Sequence, residues 1–118
     1  IDFNGEIIGK PSSNNEAFKI IDKLSNKTHS VISGLSLFYN GKAITIFDKT
    51  DVTFKKLSKS IIKNYIKSFD VLDKAGAYNI EDAENILIKH IDGCYNNIVG
   101  FPLKKFKMSK IKIILENL

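Results

Sequence analysis

Arginine and tryptophan are absent from the 118 residues, cysteine occurs once and proline twice. Without arginine the chain has no planar fork for bidentate contact with phosphate or guanine. Phosphate would have to meet lysine point charges, backbone N–H groups or a bound metal ion. The lone Cys94 excludes an intramolecular disulfide and points to a reducing compartment. No nucleophile signature surrounds it, so it reads as a small buried apolar residue. His29 and His90 have no Cys or His partners at metal-ligand spacing, which argues against a zinc centre. No stretch reaches membrane-spanning length and no signal peptide opens the chain, so the expected location is cytoplasmic, with no membrane partner. Repeats and low-complexity segments are also missing, and residues 1–118 read as a single domain. The chain starts at Ile1, inside an apolar-polar pattern, which reads as a fragment or a processed chain.

What is present is an ordinary globular balance, with 43% hydrophobic and 26% charged residues, enough to build a core without staples. The net charge of +5 comes entirely from lysine on the cationic side and is spread along the chain. It suits an anionic ligand such as a nucleotide, and equally a soluble lysine-rich surface. Asn4-Gly5 and Asn40-Gly41 are turn dipeptides, each flanked by extended pattern. The second joins Thr28–Tyr39, where Val31, Leu35, Leu37 and Tyr39 share a face, to a return strand running from Ala43 through Phe54. The result is a long antiparallel hairpin. Ser13 and Glu16 form a capping box before a helix over 14–24 whose buried stripe is Ala17, Ile20, Ile21 and Leu24. Ser58 caps a second helix, with Leu57 and Ile62 placed as a hydrophobic staple and Ile61, Ile62, Tyr65, Ile66 and Phe69 on its buried face. Residues 70–79 show no period and read as an ordered loop with Gly76 at a tight position. Ile86, Ile88 and Ile91 predict another strand, closed by Asp92-Gly93. A C-terminal helix begins near Pro102 and turns Ile111, Ile114, Leu115 and Leu118 to one side. The fold class is α/β, with a mixed or antiparallel sheet and flanking helices.

Two loops could carry chemistry. Leu72-Asp73-Lys74-Ala75-Gly76-Ala77-Tyr78 gathers a carboxylate, an ammonium, small residues and a phenol. A carboxylate can hold Mg²⁺, a lysine can neutralise phosphate, and small residues let a ligand approach the backbone. An Asp and a Lys sharing a surface turn is the commoner arrangement, and spacing alone leaves both readings open. Gly9-Lys10-Pro11 precedes the capped helix, where a charge beside a helix N-terminus makes an anion site. A plain strand-to-helix connector is the commoner arrangement for such a segment, and the spacing of a P-loop is missing. His29 reads as a hydrogen-bonded structural residue at the start of a strand. Lys55-Lys56 and Lys104-Lys105 read as solvated faces, with no interleaved aromatics of the kind an RNA-binding sheet uses.

Asn4 through Pro11, then Glu16-Ala17, then Leu24-Ser25-Asn26-Lys27-Thr28-His29, then Asp51-Val52-Thr53-Phe54, resemble the middle of a Maf protein. The loop Leu72–Tyr78 resembles that family's most recognisable motif, and Tyr95 to Leu103, ending Gly100-Phe101-Pro102-Leu103, its closing signature. The resemblance implies the α/β fold shared with inosine triphosphate pyrophosphatases, and hydrolysis of nucleoside triphosphates to monophosphate and pyrophosphate. It also implies a divalent cation (Mg²⁺ or Mn²⁺), dTTP, UTP or modified nucleotides as substrates, frequent homodimers, and a link by name to septum formation. On this chain it puts Lys10 and Lys74 at the phosphates, Asp73 orienting Lys74 or holding the metal, and Tyr78 in the nucleotide pocket.

Two departures matter. The family's Ser-rich, Arg-Arg phosphate loop and the Asp-Thr pair holding its general base belong upstream of Asn4-Gly5, so no catalytic residue is assigned within this segment. Glu81, in Asn79-Ile80-Glu81-Asp82, stands where dTTP- and UTP-type members have Gln associated with base selection. A carboxylate accepts but cannot donate, so base preference would change. Two other readings remain: a truncated, inactive homologue serving as a nucleotide-binding or assembly module, and a basic nucleic-acid-binding domain. The second lacks the arginines and aromatic platforms it needs, so no nucleic acid polymer is expected as a partner.

Overall fold

Asn4 and Gly5 take φ of 52° and 84°, and Asn40 and Gly41 take 49° and 72°. These are the left-handed pairs that match a two-residue turn to the twist of its flanking strands. The first folds Asp2–Phe3 (β1) back on Glu6–Ile7 (β2). The second joins Thr28–Tyr39 (β3) to Lys42–Phe54 (β4) in unbroken register, from Tyr39↔Lys42 to Thr28↔Thr53. Ile88–Asp92 (β5) adds to the far side of β4, with a register shift at Thr53/Phe54. The sheet order is β2-β1-β3-β4-β5, and every pairing among the described residues is antiparallel.

The structure is a computed structural model and describes residues 1–93 and residue 116. The readings of Cys94, of the Tyr95–Leu103 signature, of Lys104-Lys105 and of the helix beginning near Pro102 lie outside the described residues. No helix among those described is long and apolar enough to cross a membrane.

Helix α1 spans Asn14–Leu24 and is capped by Ser13, whose Oγ accepts from the Glu16 N–H at 3.1 Å. The capping box closes on this side only. The Glu16 carboxylate accepts from the Ser12 hydroxyl instead of reaching the Ser13 N–H. Helix α2 spans Lys59–Ser68, with the Ser58 Oγ accepting from the Ile61 N–H at 3.2 Å. Its buried face is Ile62, Tyr65 and Ile66. Ile61 is 41% exposed, contrary to the sequence reading, because the next residue already occupies the centre of the stripe. Two short elements were not legible from periodicity: a 3-10 turn at Ala75–Ala77 and the single-turn α3 at Ile80–Ala83.

Ala17, Ile21 and Leu24 of α1 and Ile62 and Tyr65 of α2 share one core with Val52 and Phe54 of β4, and with Val71, Leu87 and Ile88. Each fully buried side chain of this size contributes about 1.5–3 kcal/mol. Along the hairpin the packing thins: Val52 and Phe54 are fully buried, whereas Phe38 and Phe47, nearer the turn, are exposed. The packed end of the sheet is therefore the end that holds the 72–78 loop.

Candidate functional site

The two loops singled out by sequence meet. The Gly76 N–H donates to the Gly9 carbonyl at 3.0 Å, and Lys10 Nζ lies 3.2 Å from Asp73 Oδ1. Both side chains of this ion pair are well exposed, so it sets geometry more than it adds stability. Gly76 has φ of 70°, where L side chains are strained. A Cβ there would fall 2.2 Å from Ile1 Cδ1, so any other residue must push the Ile1 side chain aside.

The chain then turns into α3. Asn79 Oδ1 accepts from the Glu81 N–H at 3.0 Å, and the Asn79 N–H donates to Tyr65 Oη at 3.3 Å. Glu81 is thereby fixed at the start of α3 with its side chain exposed. Asp73, Lys74, Tyr78 and Glu81 all line one cleft of about 370 Å³. Val31, Ile32 and Ser33 of β3 line it as well, together with Ile1. Lys10 borders the cleft through its ion pair with Asp73, and itself lines a neighbouring cavity of about 310 Å³ between β2 and α1. All five residues named from the sequence thus fall in one neighbourhood.

Tyr78 lines the cleft, but its hydroxyl is not offered to it. It is 5% exposed, and its hydroxyl turns inward to His29 Nε2 at 2.7 Å. His29, Phe54 and Tyr78 stack edge to face, with centroids 5.0, 5.1 and 5.5 Å apart, under the cleft. Burial lowers the His29 pKa to about 4, with a smaller push from the amino-terminal charge and an opposing pull from Asp51. Burial also raises the Tyr78 phenol, with Tyr65 adding to the shift. Both groups are neutral at pH 7. His29 Nδ1 is buried without a hydrogen-bond partner among the described residues. The structural role read for His29 holds, and its partner is the loop itself.

Ser33 and Asn79 belong to the cleft and escaped the sequence reading. Ser33 interrupts the otherwise apolar row Val31, Leu35, Leu37 on β3, and that lone hydroxyl was the available signal. Asn79 was detectable only as a residue suited to capping the next turn.

No three His, Cys, Asp or Glu residues cluster as a metal cage among the described residues. Asp73 and Glu81 are two carboxylates on one cleft. That donor set fits Mg²⁺, which takes one or two carboxylates and fills its octahedron with phosphate oxygens and water.

The cleft thus gathers a paired lysine and carboxylate, a glycine-tight loop and a second carboxylate. A family model described as Maf-like protein matches residues 1–109, and the chain belongs to that family. Its relatives include proteins named dTTP/UTP pyrophosphatase. One from Thermosipho africanus (strain TCF52B) is 42% identical over 100 residues, covering 85% of this chain and 52% of that protein. Another from Pyrococcus abyssi (strain GE5 / Orsay) is 42% identical over 101 residues, covering 86% and 54%. A third from Clostridium perfringens (strain SM101 / Type A) is 41% identical over 104 residues, covering 86% and 54%. The chain spans about half the length of these relatives.

Proposed function

We propose that the chain supplies one side of the active cleft of a nucleoside triphosphate pyrophosphatase acting on dTTP, UTP or a modified nucleotide. The observation that carries this reading is the meeting of Asp73, Lys74 and Glu81 on one cleft, with Lys10 paired to Asp73 at its border, in a chain whose relatives bear the name dTTP/UTP pyrophosphatase. In the proposed reaction, water adds to the α-phosphorus, the bond from that phosphorus to the bridging oxygen breaks, and pyrophosphate leaves with the added negative charge. Lys74, and Lys10 held by Asp73, are the cations that would absorb that charge. The base that takes the water's proton is proposed to come from outside these residues, as the family resemblance implies. A divalent cation belongs to the proposal: Asp73 would hold Mg²⁺ or Mn²⁺ with phosphate oxygens and water, and it would neutralise phosphate charge. A cytoplasmic location and a homodimer complete it. Glu81 makes the base-selecting contact an acceptor only, so bases that present N–H groups toward it are favoured.

The test is pyrophosphate release from a panel of nucleoside triphosphates with Mg²⁺ or Mn²⁺, run on this chain and on a form extended to the relatives' length. The extended form turns over, and Lys74→Ala lowers kcat/KM by about 10²-fold, the size typical of losing one charge-stabilising group. Lys56→Ala, an exposed lysine remote from the cleft, leaves it unchanged. Equal losses in both variants would remove the loop from the reaction. A second reading is a nucleotide-binding or assembly module without turnover. Silence from the extended form, with triphosphate binding retained, would select it.

A further inference from the structure

A second concavity, a groove of about 550 Å³ between α1 and α2, shares no lining residue with the cleft. Lys59, Lys63 and Lys67 of α2 stand along it at i, i+4 and i+8, a single row about 12 Å long. Like charges at this spacing repel one another. None of the three has a carboxylate partner among the described residues, and no Asp or Glu lines the groove. The floor is apolar, with half-buried Phe18 and buried Ile66. Asn14 and Asn15, the first two residues of α1, also line the groove, and their backbone N–H groups have no intrahelical acceptors.

We infer that this groove docks an acidic amphipathic helix of a partner protein, its carboxylates spaced i, i+4 and i+8 against the three lysines and an apolar side chain seated between Phe18 and Ile66. The charge pattern selects this occupant. A single lysine row answers a single row of carboxylates with the same rise per turn, and the positive end of α1 extends the match. A lipid surface needs apolar groups that protrude, whereas here they form the floor of a concavity. Nucleic acid would set phosphates over that apolar floor, without the arginines or stacking platforms that hold a polyanion.

Fluorescence anisotropy tests it with a labelled helical peptide of about 18 residues, bearing Glu at i, i+4 and i+8 beside a Leu stripe. The peptide binds the 118-residue chain saturably. Affinity falls roughly tenfold when Lys59, Lys63 and Lys67 are all replaced by Gln, when the peptide's Glu residues become Gln, and on raising salt. The three positions are exposed, and an unchanged unfolding midpoint confirms that the variant is folded. Absence of binding, or equal binding by the triple variant, overturns the proposal. Tighter capture of phosphatidylserine vesicles or of a single-stranded oligonucleotide, lost in the same variant, overturns it by assigning the row to lipid or nucleic acid. Pyrophosphate release is unaffected by the triple substitution, so failure here leaves the reading of the cleft standing.

Discussion

His29 is neutral in the fold because its imidazole is buried against Phe54 and Tyr78, and its pKa of about 4 lies below the ordinary 6.5. The unfolded chain therefore takes up a proton on this residue at a higher pH than the native protein does. Between pH 6.5 and about 4 the unfolded state binds more protons, so stability rises with pH across that window and is lost as pH falls through it. Full titration amounts to a loss on the order of 3 kcal/mol. Urea unfolding at pH 7 and at steps down to pH 4 should show this slope, and His29→Gln, which keeps a polar group near Tyr78 but cannot titrate, should flatten it. Parallel losses in both proteins would place the sensitivity elsewhere. Gly76 makes a second test at this scale. Gly76→Ala puts a Cβ at φ of 70° and displaces the Ile1 side chain, with an expected cost of about 1–2 kcal/mol by urea midpoint. Because Ile1 lines the cleft, the same change should weaken triphosphate binding. A variant with native stability and native binding would show that the glycine is dispensable.

At the scale of elements, the hairpin is two structures joined end to end. Its packed half carries Phe54, fully buried between His29 and Tyr78, and its outer half carries Phe38, 81% exposed. Phe54→Ala should cost about 3–5 kcal/mol, the range for emptying a buried phenylalanine site. Phe38→Ser should stay within about 0.5 kcal/mol. Chemical denaturation of both variants checks the contrast, and a large loss at Phe38 would mean that another surface covers the outer hairpin. What the sequence could reveal follows the same division. Asn4-Gly5, Asn40-Gly41, Ser13 and Ser58 act within two or three residues, and each was legible, because turn and cap chemistry is local. The choice of the Glu16 carboxylate for Ser12, and the exposure of Ile61, depend on neighbours in space and were misread. The single turn of α3 is too short to show a period. The site divides likewise: Lys10 and Asp73 are 63 residues apart and His29 and Tyr78 are 49 apart, so no spacing rule joins them. Family resemblance named Lys10 and Asp73 separately and set Asp73 against Lys74, so the Lys10–Asp73 pair, like the bond under Tyr78, needed the fold.

For the molecule as a whole, binding and turnover are separable quantities. The lysines, the two cleft carboxylates and the lining residues of β3 are all present in a chain spanning half the length of its relatives. If these residues form the binding side, triphosphate should stabilise the 118-residue chain whether or not it hydrolyses anything. A ligand that binds only the native state adds about 2.7 kcal/mol at a hundred times its Kd. For a domain of this size that corresponds to a rise of roughly 10 °C in Tm. The shift should be larger with Mg²⁺ than without, because the cation relieves repulsion between the phosphates and Asp73 and Glu81. Lys74→Ala should remove most of it, Lys56→Ala none, and raised salt should shrink it, since Lys10 is solvent-exposed and Lys74 only half-buried. Thermal unfolding with dTTP, UTP and ATP, with and without Mg²⁺, measures each of these. A shift in this chain without pyrophosphate release would locate substrate capture here and the water-activating base elsewhere. A chain indifferent to every triphosphate would count against these residues as the binding side.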